Sequence, residues 1–129
     1  MSTHSTITVK RSDGKWHSIY CQFDGYLSHN GRILYENYNS QELAEKLVSN
    51  GNLSSLDKFC DKPESHTYKT PVKGYSLYYG RDRGDDHDET GNIGDTYDSA
   101  VQQSEEYNYI WDGVKWFVKF NGHSTDGFV

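Results

Sequence analysis

The sequence predicts an α+β domain: one antiparallel sheet of four to five strands, with two helices inserted after the second strand and packed on one face. Three observations predict it. Thr6–Val9 and Trp16–Phe23 are strand-like runs flanking the turn Ser12-Asp13-Gly14-Lys15. Tyr107–Phe120 alternates in the same way around Asp112-Gly113. Between these hairpins, residues 26–50 place apolar side chains at helical spacing.

The elements follow in chain order. The first hairpin covers residues 6–23, and its two runs differ in parity, so a bulge or a loop longer than two residues joins them. At Asp24-Gly25 the chain turns, Asp bonding its own backbone and Gly accepting a positive φ. Leu27, Gly31, Leu34, Tyr35 and Tyr38 then share one helical face. A second helix starts from Asn39 as N-cap, with Glu42 completing a capping box. Its stripe is Leu43, Ala44, Leu47 and Val48, and Asn50-Gly51 stops it. Residues 57–71 read as a polar loop, with Leu53 and Leu56 tucked in before it. Val72–Gly80 reads as a strand with a bulge at Gly74, and Ser99–Glu106 as a turn of helix. In the last hairpin, residues 106–120, a two-residue turn at Asp112-Gly113 sets Trp111 opposite Val114, Tyr109 opposite Trp116 and Tyr107 opposite Val118. The tail after Phe120 reads as frayed.

With 129 residues the chain makes one domain, spanning residues 1–129, with one modest core. Eleven Tyr and three Trp take over packing that Leu and Ile usually provide. No run approaches the ~18 apolar residues of a membrane span. The start of the chain lacks a charged-then-apolar signal pattern, so no secretion is expected. Cys21 and Cys60, the two cysteines, read as reduced and packed.

Charge is unevenly spread. Between Asp82 and Glu106 lie nine acids and one base, near −8; the remaining ten acids and twelve bases are near +2. A block of this kind, the acidic loop of residues 81–98 above all, repels nucleic acid and attracts cations or basic protein surfaces. The expected partner surface is Asp82, Asp85, Asp86, Asp88 and Glu89, with Asp95 and Asp98 behind them. Direct nucleic-acid binding is not expected, because the cluster Lys10, Arg11 and Lys15 is small and offset by acids.

Three further features could carry chemistry. Tyr20, Cys21, Asp24, Gly25 and Tyr26 form the joint between strand and helix and outline a pocket. A thiol ahead of a helix N-terminus can have a lowered pKa, but Asp24 opposes that, and Cys21 also reads as a plain core residue. Asp82, Asp85, Asp86 and His87, joined by Asp24, could hold a divalent cation, which makes a metal-dependent hydrolase or nuclease the alternative to a binding protein. The spacing fits no EF-hand loop. The aromatic set Tyr75, Tyr78, Tyr79, Trp111 and Trp116 reads as a ligand face or, more simply, as core. No phosphate-cradling loop, paired CxxC, HExxH or GxSxG is present, and no cofactor is expected.

The pattern Y-C-x-x-D-G-Y (Tyr20 to Tyr26), followed by Gly31, Leu34 and Tyr38 and by Gly51-Asn52-Leu53-Ser54-Ser55-Leu56, resembles small uncharacterised bacteriophage-encoded proteins. So do Arg81–Asp85 and the final hairpin, and the resemblance spans roughly residues 6 to 120. Gln22 and Phe23 stand where that pattern has His and Trp, and Leu27 where it has Pro; a role resting on a histidine at position 22 would be missing here. The resemblance implies a viral origin and a place in the bacterial host cytoplasm, and it implies no reaction. The function expected from charge and resemblance together is a non-enzymatic accessory protein. It would bind and inhibit or redirect a host protein, with restriction, CRISPR and transcription complexes as the target class considered. Tyr spread over both sheet faces would point to a homodimer, which the sequence leaves open.

Overall fold

The computed structural model describes residues 3–84, 89–101, 103–120 and 123–125, the last three by their backbone alone. The strands are β1 (Ser5–Lys10), β2 (Trp16–Cys21), β3 (Leu53–Ser55), β4 (Leu77–Tyr78), β5 (Asn92–Gly94), β6 (Tyr107–Trp111), β7 (Trp116–Phe120) and β8 (His123–Thr125). Among the described residues three short α-helices accompany them: α1 (Arg32–Asn37), α2 (Gln41–Ser49) and α3 (Tyr97–Ala100). Wider π-helical turns occupy Leu27–Gly31 and Tyr79–Arg83.

The sheet runs β4-β3-β2-β1-β6-β7-β8, and β5 pairs with β2 outside that row. It is mixed: β1 is parallel to β6 and β2 is parallel to β3, while the other pairs are antiparallel. This overturns the expected antiparallel sheet of four to five strands with two inserted helices. The two hairpins are not neighbours through their chain ends alone. The first strand of each lies against the other in parallel, which local patterning does not encode. The tucked turn at Leu53–Leu56, the acidic loop and the tail supply the short strands β3, β5 and β8. The run Val72–Gly80 is a strand only at Leu77–Tyr78, where it meets β3.

Register sorts the side chains. Ile7, Val9, Ile19, Cys21, Tyr109, Trp111, Trp116 and Val118 share one face and are buried there with Leu34, Tyr38, Ala44, Leu47 and Val48. Two indole N–H groups tie the sheet to the helical layer: Trp111 Nε1 donates to Gln41 Oε1 (2.8 Å) and Trp116 Nε1 to Tyr38 O (3.1 Å). The opposite face is polar where it is buried. Thr6 Oγ1 donates to Asn108 Oδ1 (2.8 Å) and Thr8 Oγ1 to Ser18 Oγ (2.9 Å). That face is covered by residues 89–101 and 103–105, with Ala100 of α3 fully buried against it.

Local details differ from the expectation for physical reasons. β1 and β2 pair without a bulge across the loop 11–15. In the last hairpin the tip is Gly113-Val114, because Asp112 stays in the ladder: its N–H donates to Lys115 O (3.2 Å), and its Oδ1 accepts from Val114 N and Lys115 N. Register therefore shifts by two, pairing Trp111 with Trp116, Tyr109 with Val118 and Tyr107 with Phe120. The two indoles meet edge to face, 5.5 Å between centroids. Helix α2 is capped by Ser40, whose Oγ accepts from Leu43 N (3.2 Å), rather than by Asn39. Leu43, placed in the apolar stripe by spacing, is exposed, as are Leu27 and Tyr35.

Candidate functional site

The joint after β2 is a closed structural corner. Asp24, not Gly25, adopts the left-handed conformation (φ 57°). Gly25 is needed for a close approach instead: its N–H donates to Thr3 O (2.8 Å), and a Cβ there would lie 2.9 Å from the carbonyl oxygens of Thr3 and His4. Tyr109 OH donates to Gly25 O from the core side. Asn30, fully buried and missed by sequence reasoning, fills the corner. Its Nδ2 reaches Ser5 Oγ (3.3 Å), Cys21 Sγ (3.4 Å) and Phe23 O (3.5 Å), and its Oδ1 lies 2.9 Å from His29 Nδ1. A lone polar residue beside the helical stripe was its only trace in the sequence.

Cys21 is completely buried and Sγ donates to Phe23 O (3.6 Å). Burial pushes its thiol up to about 11, against the lowering effect of its hydrogen bonds with Asn30, Phe23 and Ser5. At neutral pH it is a protonated core thiol. Iodoacetamide should leave Cys21 unmodified in the folded protein and label it only in denaturant; rapid native labelling mapped to Cys21 by mass spectrometry would contradict this. Tyr20, half-buried, donates its phenolic proton to Gln22 Oε1 (2.7 Å); burial, then the charge of Glu105, pushes it up to about 12. Tyr26 is exposed, and its OH donates to Asp24 Oδ1 (3.3 Å).

The expected acidic surface divides. Asp82 is not on it. Its carboxylate is wholly buried, and Oδ1 accepts from Arg81 Nε (2.8 Å). Oδ2 accepts from Arg81 Nη2 (3.1 Å) and Tyr78 N (2.8 Å). Burial is the largest influence and raises its pKa, but the Arg81 hydrogen bonds, the Tyr78 N–H, the Arg81 charge and His66 together hold it below the ordinary value. Arg81 also donates to Cys60 O (2.9 Å) and sits 4.7 Å over the Tyr78 ring. His66, fully buried, accepts from Val72 N at Nδ1 (2.9 Å) and places Nε2 3.1 Å from Ser76 O and 3.4 Å from Asp82 Oδ2. This cluster pins the long loop 57–76 to the turn 79–83.

Glu89, Asp95 and Asp98 lie on a segment clamped to the sheet. Glu89 O accepts from Asn52 N (2.7 Å) and Glu89 Oε1 from Asn52 Nδ2 (3.1 Å). His17 Nε2 donates to Thr90 O (2.7 Å), and β5 then pairs with Trp16–Ser18. Asp95 is 88% exposed, 3.8 Å from Lys15 Nζ, and Asp98 is exposed in the first turn of α3. Asp85, Asp86, His87 and Asp88 lie outside the described residues.

No family model, curated protein or solved structure matches this chain. The functional reading therefore rests on the residues themselves. Among the described residues, no three His, Cys, Asp or Glu side chains converge as metal ligands would. Asp82, named for the metal-dependent alternative, has both oxygens engaged by Arg81 and Tyr78. Tyr78, Trp111 and Trp116 from the expected aromatic face are core, and Tyr78 OH donates to Leu47 O (2.7 Å). Among the described residues, no helix is long and apolar enough to cross a membrane.

Proposed function

We propose that this chain is a non-enzymatic accessory protein of bacteriophage origin that acts in the host cytoplasm by binding a basic surface of a host protein complex. The observation that carries the reading is charge placement: with the buried Asp82 set aside, residues 83–106 hold eight acids and one base in a chain otherwise near neutral. The fold supports it by pairing Asn92–Gly94 with β2 and bonding Glu89 and Thr90 to Asn52 and His17, while Asp95, Asp98 and Glu106 remain exposed. A negative surface that meets a positive groove accelerates encounter and favours the matching partner. Complexes that handle nucleic acid, restriction and CRISPR assemblies included, present such grooves.

The test is affinity capture from a bacterial lysate at low and moderate salt, read by mass spectrometry. One host complex should be retained at low salt and weakened as the salt rises. A variant with Asp85, Asp86, Asp88, Asp95 and Asp98 changed to Asn, and Asp82 left intact, should lose that complex while melting like the parent protein. Undiminished capture by a folded variant would refute the acidic-surface reading.

A further inference from the structure

On the polar face of the sheet a cleft of about 310 Å3 opens between β1, β2 and the segment that covers them. That is roughly ten times the ~30 Å3 share of a water in the liquid. Its floor is set by register: Thr6 and Tyr20 are directly cross-strand neighbours, with Ser18 beside them. Asn52 and Gly91 form one wall, and Glu105 forms the other.

The hydrogen-bond directions give this cleft a definite chemistry. Thr6 Oγ1 directs its proton to Asn108 Oδ1, whose amide group is oriented by donating to Glu105 O (2.8 Å) and Lys119 O (3.0 Å). Tyr20 directs its proton to Gln22. Asn52 uses its Nδ2 on Glu89 and its Oδ1 on Tyr20 N (2.9 Å). The side-chain protons of Thr6 and Tyr20, and one from Asn52, thus go to protein acceptors, while Ser18 Oγ accepts from Thr8, and Asn92, Gln103 and Glu105 complete the lining. Glu105 is 18% exposed, and His4 Nδ1 stands off from its Oε1 at 3.7 Å. A polar cleft with one carboxylate, hydroxyl oxygens whose protons are already committed at Thr6 and Tyr20, and a phenol ring suits a planar cation that carries several N–H donors.

We propose that this cleft is a socket for a guanidinium group, the side chain of an arginine on the protein partner. Glu105 supplies the charge-assisted bonds, Tyr20 and Thr6 accept from the remaining N–H groups, and the Tyr20 ring offers a flat surface for stacking. The proposal rests on the partner-binding reading above and names the residue type that the partner must present.

The test titrates N-acetyl-arginine amide into the isotope-labelled full chain, followed by NMR, with the citrulline and lysine amides in parallel. The arginine probe should give saturable shifts centred on Thr6, Tyr20 and Glu105. Citrulline, uncharged but of the same length, should give none there, and lysine should bind more weakly. Glu105→Gln should weaken arginine binding by about tenfold or more. Tyr20→Phe keeps the ring and should weaken it by about threefold, which gives a second reading should Glu105→Gln disturb the fold. Equal shifts from citrulline, or arginine binding unchanged in both folded variants, would overturn the socket. In the lysate experiment, a partner held equally by wild type and Glu105→Gln would remove the socket and leave the partner reading standing. Saturable arginine binding with nothing captured from lysate would do the reverse.

Discussion

Gly91→Ala should unfold about 10 °C below wild type, a loss of about 3 kcal/mol. Gly91 has φ +85°, and a Cβ there would lie 2.4 Å from Ser18 O and 2.9 Å from Ile19 Cγ2. Neither neighbour can retreat: Ser18 lies in the middle of β2, and Ile19 is core. The segment must therefore lift off the sheet, taking the His17–Thr90 bond and the β5 pairing with it. Gly14 is the matching control. It has the same φ, but nothing lies within 4 Å of its added Cβ, so Gly14→Ala should cost only the conformational term, about 1–2 kcal/mol. Equal melting losses for the two variants would mean that the close approach at Gly91 contributes nothing. Gly51→Ala should behave like Gly91→Ala, since its Cβ would run into Glu89 O at 2.1 Å.

The second large effect is at Asp82. Removing one member of a buried ion pair leaves the other charge uncompensated, at a cost of about 3–5 kcal/mol. Asp82→Asn leaves Arg81 so, and Arg81→Met leaves a buried carboxylate with the Tyr78 N–H. The double variant Arg81→Met with Asp82→Leu should be less destabilised than the sum of its singles. The pair also contributes to pH dependence, and the sign follows from its lowered pKa. In the folded protein Asp82 titrates below its ordinary 3.8. As pH falls the unfolded chain takes up the proton first, so this contribution is complete above the ordinary value and is lost as pH falls through the folded one. Urea unfolding at pH 7 and pH 3 should therefore show a larger loss for wild type than for Asp82→Asn; identical losses would mean that Asp82 is not the group involved.

Much of the local order was legible in the residues. Aromatic and β-branched runs mark β1, β2, β6 and β7, because half-buried pleated positions favour those side chains. Ala44, Leu47 and Val48 mark the buried stripe of α2. The Asp24-Gly25 corner was legible as a turn, but the roles of its two residues were exchanged. A positive φ is open to Asp as well as Gly, and only the approach of Thr3 and His4 reveals why position 25 needs no side chain. Asp82 was read as surface charge because charge is counted along the chain. Its neighbour Arg81 and the amide of Tyr78 neutralise and bury it, and only the π-helical turn at 79–83 brings all three together.

By itself, then, the sequence determined the four longer strands, the principal helix and the uneven charge, all of which are properties of short stretches. The tertiary structure decided the rest. Parallel pairing of β1 with β6 joins residues about a hundred positions apart, and the register that opposes Thr6 to Tyr20 and Asn108 creates the polar face on which the cleft lies. Asn52 and Asn30 carry no local signal because Tyr20 and Glu89, and Ser5 and Cys21, reach them from remote parts of the chain. What gives them meaning is the free energy of burying polar groups, which requires each one to find a partner wherever the fold places it.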